Sequence, residues 1–282
     1  MTHLTVDQTP ALPKSAPAKR RALPLLVLGV ALLALVSWLL NTPAGLLGKA
    51  DAVGYAICHR IDLRSFHLGD RPLPLCARCT GIYLGALLGM AALGAAGRTR
   101  AGGLPTRRVL VALFGFTALM GLDGANSYLT LFPSAPHLYQ PQNWLRLITG
   151  SLNGLTLAGL IVPVFNQTLW KNWETRPALA DFRELGGLVA LAAVVVVLVL
   201  SENDVVLYPL ALLSAVGVVA LLTALDTTLL LVVARRENRV THWTGALLPL
   251  AAGFTLAILQ IALVDAARYA IFGTWEGFVV PG

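Results

Sequence analysis

Long apolar runs broken by short polar connections dominate the pattern along the chain. Seven of them, at 23–40, 80–97, 108–124, 146–165, 187–201, 207–234 and 244–265, read as membrane-spanning helices, since about 20 apolar residues in helical form cross a bilayer core of ~30 Å. A β-barrel would need strands of about ten residues with alternating polarity, and runs such as "LVALAAVVVVLVL" do not alternate. The expected class is all-α, a polytopic integral membrane helix bundle of about seven transmembrane helices. The fifth run is short for a full crossing, which suggests a less tilted or partly re-entrant segment. The first is 18 residues long, beyond the roughly 7–15 of a signal-peptide core. It reads as an uncleaved span, with a signal peptide as the alternative. The domain expectation is a disordered basic cytoplasmic tail at 1–22, the bundle at 23–265, and an extracytoplasmic tail at 266–282. The end of that tail, "GTWEGFVVPG", is expected to lie on the membrane.

Composition agrees: 56% of residues are hydrophobic and 12% charged, about half the charge of soluble domains. A net charge of +7 invites a nucleic-acid reading, but the cations sit in connections between spans, where they set orientation. No nucleic-acid partner is expected; the lipid bilayer is. Of the 21 basic residues, fourteen share one side: Lys14, Lys19, Arg20, Arg21, Arg98, Arg100, Arg107, Arg108, Lys171, Arg176, Arg183, Arg235, Arg236 and Arg239. Seven share the other: Lys49, Arg60, Arg64, Arg71, Arg78, Arg146 and Arg268. The richer side should be cytoplasmic, which puts the amino terminus inside and the protein in the cell membrane as a multi-pass chain.

Five of the seven outer cations fall between Lys49 and Arg78, against that bias. There lies "CHRIDLRSFHLGDRPLPLCARCTG", from Cys58 to Gly81, with all three cysteines and two of the five histidines. Cys76 and Cys79, at i and i+3, share a face at a helix start, where the dipole and Arg78 favour thiolate. Pro72 and Pro74 suit an extended approach. Three chemistries fit. A metal site, zinc or another transition metal, would use Cys58, Cys76 and Cys79 with His67 as fourth ligand, or His59 as the alternative. The odd cysteine count favours it, since one disulfide strands a thiol. A thiol–disulfide oxidoreductase would cycle Cys76 and Cys79, with Cys58 resolving a mixed disulfide. An enzyme or transporter handling an anionic lipid headgroup or other phosphate-bearing ligand would use Arg60, Arg64, Arg78, Arg146, His67, Ser65 and Asp123. Asp123, Arg146, Arg64 and Ser65 are the catalytic candidates, and no residue set defines a reaction. A structural zinc or disulfide staple without turnover accounts for the loop as well.

Asp123 ends the third span and Arg146 opens the fourth, on the loop's side. Such residues are functional candidates, or else an Asp123–Arg146 ion pair pins two helices. Gly81, Gly85 and Gly89, and Gly150 and Gly154, repeat every four residues, a pattern that lets helix backbones approach closely. The second and fourth spans are expected to meet there, carrying Arg146 toward Cys79. Asp226 is a mid-span carboxylate, an ion-path candidate or a member of a hydrogen-bond network with Thr227 or Thr228. Asp265 and Arg268 read as a helix-end pair, and His137 and His242 as surface and interfacial residues.

The segment "AICHRIDLRSFHLGDRPLPLCARCTGIYLGALLG" resembles the signature of an uncharacterised family of prokaryotic membrane proteins, domain of unknown function 2085. Its pattern falls on Cys58, His59, Arg64, Ser65, Phe66, Cys76, Ala77, Arg78, Cys79, Thr80, Gly81, Ile82 and Tyr83, then Asp123, Gly124, Arg146, Thr149 and Gly150. Asn126 stands where the family often has Gln. The resemblance covers about 48–165, leaves the last three spans outside, and implies a membrane-embedded domain with a site at these positions. It carries no established activity.

Overall fold

The computed structural model describes residues 17–130, 132 and 136–278. Its helices are α1 (Pro17–Asn41), α2 (Gly45–Ile57), α3 (Ala77–Ala95), α4 (Arg107–Leu129), α5 (Asn143–Leu169), α6 (Phe182–Leu200), α7 (Asp204–Val233) and α8 (Trp243–Phe272). All but α2 are long and apolar enough to cross a membrane, so the seven expected spans are present. Val111, Phe114, Val194, Val197, Leu229, Leu247 and Leu263 point outward and are exposed. Apolar side chains so presented on α4, α6, α7 and α8, Val216 of α7 included, suit lipid rather than water. Of the expected cytoplasmic tail, residues 1–16 lie outside the described residues, and α1 is already helical from Pro17.

Two elements differ from expectation. Helix α2 has only 13 residues, too few to span, and buries Gly48 and the stretch Ala50–Tyr55 against α7 and α8. Helix α6 begins at Phe182, five residues before the expected 187. The Asp181 side chain accepts from the backbone N–H groups of Arg183 and Glu184, capping the helix. With 19 residues at about 1.5 Å each it crosses fully.

The tightest seam joins α3 to α5. A β-carbon on Gly81 would overlap the Leu147 carbonyl oxygen, and one on Gly85 that of Ser151. From the other side, Gly150 and Gly154 meet the carbonyl oxygens of Arg78 and Ile82. Glycine repeats here let two backbones touch, as anticipated. Hydrogen bonds tie α5 to α4: Thr156 Oγ1 donates to the Leu113 carbonyl (3.0 Å) and Thr117 Oγ1 to Asn153 Oδ1 (2.9 Å).

Seven alternating crossings put the carboxyl ends of α1, α4, α6 and α8 on one face with the amino ends of α3, α5 and α7. This is the cysteine face. It carries a short hairpin, β1 (His67–Leu68) antiparallel to β2 (Arg71–Pro72), turned at Gly69 with φ +58°. On the opposite face β3 (Ala101–Gly103) runs parallel to β4 (Glu174–Pro177). There Arg98 pairs with Glu184, and Asn166 donates to the carbonyls of Arg98 (3.0 Å) and Ala101 (2.9 Å).

Candidate functional site

Helix α2 ends where Cys58 turns extended and caps it, its backbone N–H donating to the Gly54 carbonyl (2.8 Å). Gly54 leaves room for the strand before α3: a β-carbon there would run into the Pro74 carbonyl. The chain from Pro72 to Leu75 therefore lies against α2 and delivers Cys76 to the N-cap of α3. Cys79 follows in the first turn. The three sulfurs end within 4.8 Å of one another, with Cys58 and Cys76 buried, Cys79 half-buried and none in a disulfide. Among the described residues, no other group of three histidine, cysteine or carboxylate side chains gathers at that spacing.

Two backbone N–H groups, of Arg60 and Cys76, each donate to Cys58 Sγ at 3.4 Å. Arg60 is left-handed (φ 52°), a conformation that costs a non-glycine residue about 1–2 kcal/mol. It is held there by an ion pair with Asp51 (2.8 Å) and a bond to the Trp275 carbonyl (2.8 Å). Hydrogen bonds from the Cys76 and Cys79 thiols hold the Cys58 thiol well below its ordinary value. The Cys76 thiol, donating a hydrogen bond to Cys58, is pushed up to about 12. The cluster thus has one sulfur already disposed to be thiolate and at least one proton to lose.

The segment Thr274–Phe278 folds over the cysteine loop. Tyr55 Oη donates to the Thr274 carbonyl (2.8 Å), and the Phe278 N–H to the His59 carbonyl (2.9 Å). Arg268 does not pair with Asp265 as expected. It donates to the carbonyls of Tyr55 and Cys58 and stacks over the Tyr55 ring (4.0 Å). Asp265 instead accepts from Trp38 Nε1 (3.1 Å). Deeper in the bundle Asp226 accepts from Gln260 (3.1 Å), whereas Thr228 bonds its own helix.

The expected histidine ligands stand apart from the sulfurs. His67, on strand β1 of the hairpin, has its Nε2 3.0 Å from exposed Asp62, in the helical turn Asp62–Arg64 before the hairpin. His59 Nδ1 accepts from the Ile61 N–H (3.0 Å). Burial lowers its pKa, the neighbouring Cys58 opposes this, and Arg64, Arg78 and Arg146 add to the lowering. Ser65 is buried and donates to the Ile61 carbonyl (3.0 Å). Arg60 shares Asp51 with Arg71 and so belongs to a separate ion-paired group.

Beside the sulfurs the other charged candidates converge. Asp123 and Arg146 share the cysteine face, as the span order requires, but not one ion pair. Asp123 pairs with Arg78 and accepts from Tyr139 Oη (2.8 Å). Arg146, in the first turn of α5, donates to Asn143 Oδ1 (2.7 Å). The residue that sequence reasoning missed is Ser127, one turn beyond Asp123 on α4. Its hydroxyl lies 3.1 Å from Arg78 Nη2 and 3.4 Å from Arg146 Nε, and its carbonyl 3.0 Å from Arg64 Nη2. The i, i+4 spacing of Asp123 and Ser127 was the available signal. Asn126 binds the following loop through the Leu138 N–H (2.7 Å) and Tyr139 carbonyl (2.9 Å).

Fold and site together define a multi-pass membrane protein that gathers three thiols and a cluster of arginines at one membrane face. Residues 58–160 match the family model described as "predicted membrane protein (DUF2085)". The chain is 32% identical over 123 residues to an uncharacterized protein of Methanocaldococcus jannaschii, covering 44% of this chain and 72% of that one. It is 38% identical over 84 residues to an uncharacterized protein of Methanothermobacter thermautotrophicus, covering 28% and 76% respectively. The chain belongs to this family of membrane proteins. No solved structure matches it. The matched segment, residues 58–160, contains the thiols, the arginine cluster and the α3–α5 seam.

Proposed function

We propose that Cys58, Cys76 and Cys79 form a thiolate metal centre on the extracytoplasmic face of this membrane protein. The observation that carries the reading is the approach of three free sulfurs to within 4.8 Å. Tetrahedral zinc with Zn–S near 2.3 Å sets its sulfurs about 4 Å apart, so closure around an ion asks for small shifts only. The two N–H donors on Cys58 Sγ support it, because such bonds stabilise a ligating thiolate. Soft sulfur donors suit zinc, copper(I) or iron. Three thiolates leave a fourth position. His67, committed to Asp62, is a poor candidate for it, and His59 would need to swing its free Nε2 inward.

The extracytoplasmic assignment rests on the fourteen-to-seven division of basic residues. The rival thiol–disulfide reading needs only Cys76 and Cys79. Elemental analysis of detergent-purified protein separates the two. The metal reading expects about one metal per chain, lost in each of Cys58→Ser, Cys76→Ser and Cys79→Ser and kept in His67→Ala. A metal-free wild type with a Cys76–Cys79 disulfide that survives Cys58→Ser would contradict it.

A further inference from the structure

Arg64 comes from the loop after α2, Arg78 from the first turn of α3 and Arg146 from the first turn of α5. Guanidiniums repel one another, and no packing requirement brings three to one place. Yet all three reach Ser127, which is 1% exposed. The carboxylate bonded within this group is Asp123, so three positive charges and one negative leave a balance of +2. Asp62, the nearest acid along the loop, is turned outward to His67. Arg78 Nε is buried without a partner. Buried charge persists in proteins when it is paired, and here the protein supplies only part of the pairing.

The geometry points to a binding site for a phosphate-type oxyanion between Arg64, Arg78 and Arg146. Guanidinium forks from three directions, with the Ser127 hydroxyl beside them, suit a tetrahedral anion better than a planar carboxylate. The balance of +2 matches a phosphate monoester or inorganic phosphate dianion and exceeds what a phosphodiester headgroup carries. Both sources share the chemistry. The site's depth, at the first turn of two spanning helices and beside exposed Tyr128 and Trp144, is that of lipid headgroups. Asp123 accepts from both Arg78 and Tyr139 and fixes Arg78 rather than touching the anion. The site shares no residue with the cysteine centre, and the +2 balance counts only the groups bonded within the cluster.

Two probes test it on the full chain. Inorganic phosphate is titrated into protein in uncharged detergent at low ionic strength, with thermal stabilisation as the readout. In parallel, native mass spectrometry counts phosphatidic acid, the lipid whose headgroup is a phosphate monoester, retained from nanodiscs that also contain phosphatidylcholine. Saturable binding of phosphate supports the site with a free oxyanion as ligand. Selective retention of phosphatidic acid alone supports it with a headgroup. In either case Arg64→Gln and Arg146→Gln should each weaken binding about tenfold or more, the loss of a charged hydrogen bond. Arg176→Gln, exposed on the opposite face, should change nothing. Arg64 is half-buried in a loop, so its variant keeps the test open if Arg146→Gln does not fold. Binding of neither probe overturns the proposal, as does binding unchanged in Arg64→Gln. Loss of metal in the arginine variants, with no anion bound by the wild type, also overturns it and makes the guanidiniums counter-charges for the thiolates.

Discussion

Replacing Asp123 by Ala removes the carboxylate that anchors the arginine cluster. The Asp123 side chain is 2% exposed and that of Arg78 17% exposed, so solvent does little to screen either. Removing one partner of a buried pair leaves the other uncompensated and costs about 3–5 kcal/mol. The Tyr139 bond (2.8 Å) is lost as well, but Tyr139 is partly exposed and recovers water. For a chain of this size that cost corresponds to roughly 6–15 °C in apparent Tm, at about 2–3 °C per kcal/mol. Asp123→Asn keeps an acceptor for Arg78 and should lose about half as much. A heating series followed by size-exclusion chromatography in detergent measures this. The double variant Asp123→Ala/Arg78→Ala gives the sharper reading, because deleting the stranded cation should restore about 2 kcal/mol relative to additivity. An Asp123→Ala protein that melts within about 1 °C of wild type, or a strictly additive double variant, would refute the pairing; both thresholds follow from the buried-pair magnitudes above.

Three other outcomes follow from the same geometry. Gly85→Leu should drive α3 off the Ser151 backbone and destabilise by about 1–3 kcal/mol or more. Gly115→Leu, where the α4 surface is open, should be neutral by the same heating series, and equal effects would remove the α3–α5 seam from the account. Because the Cys76 thiol is pushed up to about 12, it is protonated at neutral pH. Metal uptake must then release protons and weaken as pH falls, and calorimetry in two buffers of different ionisation enthalpy that gave identical heats would contradict this. An impermeant maleimide applied to intact cells after chelation should label Cys79, the half-buried sulfur; labelling only after the membrane is broken would invert the topology.

Much of this architecture was legible because lipid imposes a simple rule on sequence: each crossing needs its own apolar run. Helix α2 escaped that rule, since its 13 residues are covered by protein rather than lipid and fall below spanning length. The start of α6 was hidden by the charged Arg183 and Glu184 ahead of the apolar run, while the Asp181 cap sets the true beginning. Span order gave the face on which Asp123 and Arg146 lie but not the rotation of each helix, and rotation decides that Arg78 takes the carboxylate. The glycine repeats supplied one rotation, that of α3 against α5, and with it the approach of Arg146 to the first turn of α3. Cysteine chemistry brought Cys58 to the CxxC pair before any coordinates did. The fourth ligand was not legible in the same way. His67 is drawn to Asp62 by the local path of the 62–72 loop, which no ligand-spacing rule describes.

X-ray absorption at the edge of whichever metal accompanies the purified protein tests the central claim most directly. A thiolate centre built from Cys58, Cys76 and Cys79 predicts three sulfur scatterers, at about 2.3 Å if the metal is zinc, falling to fewer in Cys58→Ser. A shell of nitrogen and oxygen alone, or three sulfurs unchanged in Cys58→Ser, would contradict it.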